Sequence, residues 1–95
     1  MTDDLDAVRA EIDALDREIV DLLNRRARLG LKAARAKVES GRPLVDPDRE
    51  RDVLLRVAMT NSGPVPQEAL LALYRKLIET TTSMEEAETS KPKPA

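Results

Sequence analysis

The spacing of apolar residues near the start of the chain predicts one very long amphipathic helix. Between Leu5 and Glu39 the sequence contains no proline, and its one glycine is Gly30. Apolar residues recur there at alternating intervals of three and four, which is typical of a helix with a narrow apolar stripe. The residues of that stripe are Leu5, Val8, Ile12, Leu15, Ile19 and Leu22.

The length of this helix predicts a second copy of the chain. About 35 helical residues span roughly 52 Å, whereas a compact chain of this size is only about 30–35 Å across. A helix that long either protrudes or is covered by a partner chain. The 95 residues would also form only a small core on their own. We therefore expect an intertwined homodimer that is held together along the apolar stripe.

Two basic residues continue the stripe toward the end of the same helix. Arg26 and Lys37 are eleven residues apart, which is about three helical turns, so both lie on the face that carries the apolar residues. Arg9 lies about 100° from Arg26 around the helix and about 25 Å from it along the axis. Arg9 therefore joins Arg26 at one site only if it comes from the other protomer. Otherwise Arg9 is a solvated surface residue.

Capping residues predict two shorter helices after the first. Ser40-Gly41 suits a helix C-cap, which would end the long helix. Asp46 suits the N-cap of a second helix over residues 47–60, because Pro47 is favoured at the first helical position. A turn follows, and Pro66 can begin a third helix. The prediction is an all-α chain with three helices.

The predicted helices form one domain over residues 1–87. The tail from Glu88 to Ala95 is polar and contains two Lys-Pro pairs, so it is predicted to be disordered. The acidic stretch from Met1 to Asp6 lacks the apolar segment of a signal peptide, and no apolar run approaches membrane-spanning length. We expect a cytoplasmic protein that does not insert into a membrane.

Polar residues also interrupt the apolar faces of the two later helices. Arg49 and Glu50 lie in the first turn of the second helix, at the border of its apolar face. There they either line a site or form a capping and ion-pair network. Thr81 and Glu85 continue the apolar face of the third helix at a spacing of four. Thr81 fits a core hydroxyl with its hydrogen bond satisfied, but an ionised Glu85 would be costly on a buried face.

Together these residues predict a small site for an anion. Burying several cations without bound anions is very unfavourable, so the cations on the apolar faces imply a compact dianionic ligand enclosed by the helices. Arginine suits bidentate recognition of carboxylates, and lysine acts as a point charge.

The composition argues against several other classes of chemistry. The chain has no His and no Cys, so zinc or copper sites, disulfides and Ser–His or Cys–His nucleophiles are not expected. One Tyr is the only aromatic residue and the net charge is −2, so nucleic-acid binding is not expected. No cofactor is expected either. An enzyme built from this chain should need little proton transfer and no covalent intermediate.

The motifs of the first 60 residues resemble the all-helical chorismate mutases of the AroQ class. The segments that carry the resemblance are Leu5–Asp16, Arg25–Arg28, Ala36–Lys37 and Arg42–Arg51. The third helix matches by pattern alone. The resemblance implies the conversion of chorismate to prephenate, a pericyclic rearrangement in phenylalanine and tyrosine biosynthesis. It also implies a domain-swapped dimer in which both protomers complete each active site.

The resemblance assigns roles to the basic residues. Arg26 and the Arg9 of the partner chain would clamp the substrate carboxylates. Lys37 would bond the ether oxygen and a carboxylate, and Arg49 would support the anionic side of the site.

The resemblance assigns the remaining roles to polar and acidic residues. Glu50 would receive the ring hydroxyl beside the backbone of Asp46, and Thr81 would help to hold a carboxylate. Glu85 would face Lys37 across the ether oxygen, at a position where the family has Gln or Glu. A glutamate donates a hydrogen bond only when it is protonated, so we expect activity to be favoured at acidic pH.

Other functions fit parts of the same pattern. The scaffold also suits an isochorismate pyruvate lyase or an amino-deoxychorismate mutase, although the acidic and basic string from Asp46 to Arg51 looks more like the mutases. A non-catalytic helical dimerisation module would use the polar residues as interfacial salt bridges. A mutase that works mainly in complex with a shikimate-pathway synthase is a further alternative.

Overall fold

In the described part of the chain, the fold consists of three helices joined by two short connectors. The computed structural model describes residues 4–91 of the chain. Helix α1 covers Asp4–Glu39, α2 covers Pro47–Thr60 and α3 covers Gln67–Thr89. This confirms the all-α prediction and its very long N-terminal helix. Within the described residues, no helix is long and apolar enough to cross a membrane.

Local capping explains where α1 ends and α2 begins. Gly41 adopts a positive φ of 71°, and the N–H groups of Gly41 and Arg42 donate to the carbonyls of Val38 and Lys37. This pair of bonds is a Schellman motif, and it needs the conformational freedom of glycine. At the start of α2, the Asp46 carboxylate accepts a 3.0 Å hydrogen bond from the Arg49 N–H. Both boundaries agree with the sequence prediction.

The small core lies where α3 packs against the C-terminal half of α1 and against α2. Ala34 of α1 is 1% exposed and Thr81 of α3 is 8% exposed. The Cα radius of gyration is 17.5 Å and the longest dimension is 62 Å. A compact chain of this length has a radius of gyration of only about 12 Å. The single chain is therefore elongated, because most of α1 extends beyond the core.

The N-terminal half of α1, which we call the arm and define as residues 4–23, is exposed along its whole length. The large side chains of the apolar stripe are each 48–56% exposed in the single chain. These side chains are Leu5, Val8, Ile12, Leu15, Ile19 and Leu22. A row of large apolar side chains open to water is typical of a protein–protein contact surface.

Helix α3 ends later than predicted, within the segment that was expected to be disordered. Helix α3 continues through Glu88 and Thr89, so the prediction of disorder from Glu88 onward is wrong at these residues. The Glu88 carboxylate accepts hydrogen bonds from Arg35 of α1 at 2.7 Å and from Lys91 at 3.0 Å. Arg35 supplies a tertiary contact that polar composition does not reveal, so the helical domain passes the predicted limit of residue 87. Residues 92–95 lie outside the described part of the chain.

Candidate active site

A cavity of about 400 Å³ lies among the three helices and the connector between α1 and α2. Most of the residues predicted to form a site line this cavity. They are Arg26, Lys37, Asp46, Arg49, Glu50, Thr81 and Glu85. Because α1, α2 and α3 each contribute side chains, the cavity exists only when all three helices are packed together.

Arg9 is the predicted site residue that the structure does not bring to this cavity. It lies on the exposed arm, seventeen positions before Arg26 on the same helix. Helical rise over that distance separates the two residues by about 25 Å along the axis. Arg9 therefore cannot reach the cavity of its own chain while α1 remains continuous.

Lys37 lines the cavity and is held by the connector. Its ammonium donates a 3.1 Å hydrogen bond to the backbone carbonyl of Leu44, and its side chain is partly buried. A lysine ammonium has three donors, so this bond leaves donors available for a ligand. The bond also fixes the direction of a flexible side chain before any ligand arrives.

The first turn of α2 supplies a cap and two cavity side chains. The Asp46 carboxylate is engaged as the N-cap, and the Asp46 carbonyl accepts from the Glu50 N–H at 3.0 Å. The ion pair of this turn joins Arg51 to Asp48. Among residues 4–91, neither Arg49 nor Glu50 takes part in a salt bridge. Capping thus accounts for Asp46, but an ion-pair network does not account for Arg49 and Glu50.

Arg26 stands between the main cavity and a neighbouring one. Its guanidinium carbon lies 6.0 Å from the centre of the Tyr74 ring, at the outer limit of a cation–π contact. A second cavity of about 380 Å³ is lined by Arg26, Arg49, Arg56 and Tyr74, among others. Arg26 and Arg49 therefore line both cavities, which concentrates positive charge at the border between them.

The third helix contributes Thr81 and Glu85. The Thr81 hydroxyl donates within α3, to the carbonyls of Leu77 and Ile78 at 3.0 and 3.1 Å. This agrees with the alternative of a satisfied core hydroxyl, since its proton is already used, although Thr81 is one of the residues that line the cavity. Any direct bond from Thr81 to a ligand carboxylate requires the hydroxyl to leave its own helix.

The site perturbs the ionisation of the Glu85 carboxyl. Partial burial raises its pKa, because desolvation penalises the charged carboxylate. The positive charges of Lys37 and Arg26 partly oppose this, and the negative charge of Glu86 adds to it. The net effect is a pKa above the usual value, so Glu85 keeps its proton to a higher pH than an exposed glutamate.

Three features of the site were not identified from the sequence. The Leu44 carbonyl has no signature, because every residue carries a carbonyl. Tyr74 was noted only as the one aromatic residue of the chain, with no role at a site. Gly30 lines the cavity and lies against Glu85, but its only sequence signal was that a helix interior rarely favours glycine.

The chain is similar to known chorismate mutases in sequence and in fold. Residues 8–86 match the family model described as chorismate mutase type II. A chorismate mutase from Thermus thermophilus is 34% identical, with a TM-score of 0.85, and the match covers 88% of this chain and 96% of that one. A chorismate mutase from Helicobacter pylori, solved in complex with prephenate, is 34% identical, with a TM-score of 0.83 and coverage of 94% and 97%.

Similar sequences also occur within longer proteins. A bifunctional chorismate mutase/prephenate dehydratase from Aquifex aeolicus is 37% identical over 87 residues, which cover 87% of this chain and 24% of that protein. The corresponding protein of Escherichia coli is 33% identical over 82 residues, covering 85% and 21%. The chain thus spans about a quarter of the length of these curated relatives. Since the family model matches most of its residues, the chain belongs to the chorismate mutase type II family.

Proposed function

We propose that this chain converts chorismate to prephenate. The observation that carries the proposal is that seven polar residues, singled out from the sequence, line one cavity in a chain of the chorismate mutase type II family. A similar protein was solved with prephenate bound, which supports the same ligand class here. The proposal covers the mutase reaction alone, because the family match is to chorismate mutases.

The reaction suits a site of this composition. The rearrangement breaks one C–O bond and forms one C–C bond in a single step, with no nucleophile and no obligatory proton transfer. A site accelerates it by holding the reactive conformer and by stabilising the negative charge that develops on the ether oxygen. Fixed cations, and a carboxyl that holds its proton to a higher pH than an exposed glutamate, can do both in a partly enclosed cavity.

We assign the basic residues to the charged groups of the substrate. Arg26, together with Arg9 of the partner subunit, clamps the two carboxylates, and Arg49 supports the anionic side of the cavity. Lys37 donates to the ether oxygen and to one carboxylate. The hydrogen bond to Leu44 supports this assignment, because it presents the Lys37 ammonium to the cavity before the substrate binds.

We assign the polar and acidic residues to the remaining groups. Glu50 accepts a hydrogen bond from the ring hydroxyl of the substrate, beside the backbone of Asp46. Thr81 helps to hold a carboxylate after its hydroxyl rotates away from α3. Protonated Glu85 donates to the ether oxygen from the side opposite Lys37.

The balance of charge supports these assignments. Arg26, Lys37 and Arg49 face the carboxyls of Asp46, Glu50 and Glu85 around the cavity. With Glu85 protonated and Arg9 of the partner subunit added, cations outnumber carboxylates by two. That surplus matches a dianionic substrate, whose binding would then leave the enclosed site close to neutral.

We also propose an intertwined homodimer in which the arm of one chain lies on the body of the other. The apolar side chains from Val8 to Leu22 are about half exposed in the single chain. A 36-residue helix extends far beyond the short α2, so its own chain cannot cover the arm. Pairing with a second chain would bury the stripe and bring Arg9 to the partner's cavity.

Location and further partners remain proposals too. We propose a cytoplasmic protein. Cell fractionation would test this. A shikimate-pathway synthase as activating partner would be tested by comparing the rate with and without the purified synthase.

The deciding experiment offers chorismate and isochorismate separately to the purified chain and identifies the products. Prephenate from chorismate supports the proposal. Pyruvate from isochorismate would instead indicate a lyase, and an amino-deoxychorismate arm tests the related mutase. An adaptor would turn over none of these and would gain no thermal stability from a dicarboxylate transition-state mimic.

A matched pair of variants locates the reaction in the cavity. Arg26→Ala should lower kcat/KM by about 10²-fold or more, because it removes a charged donor from the site. Arg25→Ala should have little effect, since the Arg25 side chain is 62% exposed and is paired with Asp21. Equal losses in both variants would contradict the assignment.

A further inference from the structure

Gly30 lies directly against the carboxyl group of Glu85. It occupies the interior of α1 and lines the main cavity. A Cβ atom placed on Gly30 would lie 3.3 Å from Glu85 Oε1 and 3.8 Å from Glu85 Cδ. The shorter distance is tighter than an ordinary van der Waals contact, so the carboxyl would have to move by a few tenths of an ångström.

The stability of the helix does not explain why glycine occupies this position. A glycine in a helix interior is less stable than alanine, because it loses more conformational freedom on folding. The usual reasons for glycine do not apply here. Gly30 is in the middle of a regular helix and, unlike Gly41 and Gly63, it does not have a positive φ. The close approach of Glu85 is the feature of the structure that a side chain at this position would disturb.

We propose that Gly30 is a positioning residue, which sets how deeply the Glu85 carboxyl sits in the cavity. The bare backbone of α1 at Gly30 leaves the space into which the carboxyl fits. A methyl group there would push the carboxyl away from α1 and change its alignment with Lys37. This inference rests on the proposed mutase function only for its effect on the rate, since the displacement of the carboxyl does not depend on a substrate.

Gly30→Ala is the variant that tests this. Its kcat should fall on the order of tenfold with KM little changed, because small displacements of a reacting group already cost rate. The temperature of unfolding should stay the same or rise, since alanine is the better helix former. Lys32→Ala is the matched control on the same helix, because Lys32 is exposed and does not line the cavity. It should leave kcat unchanged.

Repeating the Gly30→Ala substitution in a chain that lacks the Glu85 carboxyl separates an effect on Glu85 from an effect on the substrate. In a Glu85→Ala chain, adding Gly30→Ala should change the rate by less than about twofold, as expected once the two sites no longer interact. A similar loss with and without Glu85 would overturn the proposal, because the methyl group would then act on the substrate or on α1. A chain that failed to fold in both backgrounds would overturn it for the same reason.

A measurement without substrate completes the test. With ¹³C-labelled glutamate, the side-chain carboxyl resonance of Glu85, assigned with Glu85→Gln, should shift in Gly30→Ala and keep its position in Lys32→Ala. The resonance of Glu79, which is exposed on α3, should not move in either variant. An unchanged Glu85 resonance would overturn the proposal. A wild-type chain without activity on chorismate would contradict the proposed function and leave this readout valid.

Discussion

The ammonium of Lys37, in the last turn of α1, donates a 3.1 Å hydrogen bond to the backbone carbonyl of Leu44 in the following connector. The bond joins a cavity residue to the segment that leads into α2. It therefore couples the position of the cation to the path of the chain around the site. A substitution at Lys37 should affect both catalysis and stability.

Lys37→Ala tests both effects. The kcat should fall by about 10²–10³-fold, as for the loss of a donor to a developing oxyanion. The free energy of unfolding should fall by about 1 kcal/mol, because the Leu44 carbonyl loses its hydrogen bond. Steady-state assays and urea titration measure the two effects. Lys76→Ala is the control, since the Lys76 side chain is 74% exposed on α3. Wild-type kcat in Lys37→Ala would contradict the role.

The raised pKa of Glu85 predicts a falling rate as the pH increases. Burial favours the protonated carboxyl, which can donate to the ether oxygen, whereas the carboxylate only accepts. Activity should therefore be highest below the Glu85 pKa and decline as the pH rises through it. Because the substrate dianion is also nearby, its charge should raise that pKa further. The profile of kcat against pH measures this decline.

Glu85→Gln provides the comparison for this profile. Glutamine donates at every pH, so the variant should lose most of the pH dependence. It should also be more stable than the wild type at neutral pH. A carboxyl whose pKa is raised by folding stabilises the protein below its unfolded pKa, and this contribution is lost as the pH rises through the folded pKa. A flat wild-type profile from about pH 5 to 8 would count against the prediction.

The exposed stripe predicts that a charge on the arm disrupts dimerisation. Leu15 is 56% exposed in the single chain, so Leu15→Glu would cost little if the chain were a monomer. In the proposed dimer it would bury an unpaired carboxylate, and the variant should dissociate and lose activity. Ala10→Glu adds the same charge on the opposite side of the arm and should remain a dimer. Light scattering gives the mass of each, and an unaffected Leu15→Glu dimer would refute the interface.

Mixing two inactive variants tests whether Arg9 acts across the dimer. Arg9→Ala and Arg26→Ala should each be nearly inactive. After they are unfolded and refolded together, half of the dimers should be mixed, and each mixed dimer should hold one intact site. About a quarter of the wild-type activity should return, as symmetry requires for a site shared by two chains. No recovery from correctly refolded dimers would contradict a site that is shared by the two chains.

The contact between Arg35 and Glu88 predicts that the stability of the fold decreases at acidic pH. Hydrogen bonds from Arg35 and Lys91 lower the pKa of Glu88 below the usual glutamate value. A carboxyl with a lowered pKa stabilises the fold above its unfolded pKa, and the contribution is lost as the pH falls through the folded pKa. Glu88→Gln should therefore unfold at a lower temperature than the wild type at neutral pH.

The difference between Glu88→Gln and the wild type should disappear as the pH is lowered below the usual glutamate pKa of about 4.3. Calorimetry across that range measures it. Glu79→Gln is the control, since Glu79 lies on the same helix and its side chain is 69% exposed. A difference that did not change with pH would show that the Glu88 charge is not its cause.

The bounds of the helices followed from local signals in most places. Asp46 with Pro47 at the start of α2, and Gly41 after α1, act through hydrogen bonds and backbone angles within a few residues. The end of α3 differed, because Glu88 is held by Arg35, 53 positions away along the chain. Local composition cannot reveal a contact at that distance.

The candidate site was anticipated in part. Helical periodicity alone placed Arg26 and Lys37 on one face of α1, and the structure places both on the same cavity. Polar residues of α2 and α3 were singled out by the same periodicity. Their roles came from the family resemblance, since periodicity does not say which helix faces which. Gly30 was noted only as the glycine of a long helix, because its place in the site depends on the Glu85 carboxyl, which comes from α3.

The sequence by itself determined the three helices, the apolar stripe of the arm and the set of cations on the helix faces. Those features depend on repeat spacing and on capping groups, which act over one or two helical turns. Only the tertiary structure decided that Lys37 meets the Leu44 carbonyl and that Gly30 leaves room for Glu85. The first contact depends on the path of the connector after α1. The second depends on how closely α3 packs against α1, which is set by side chains from distant parts of the chain.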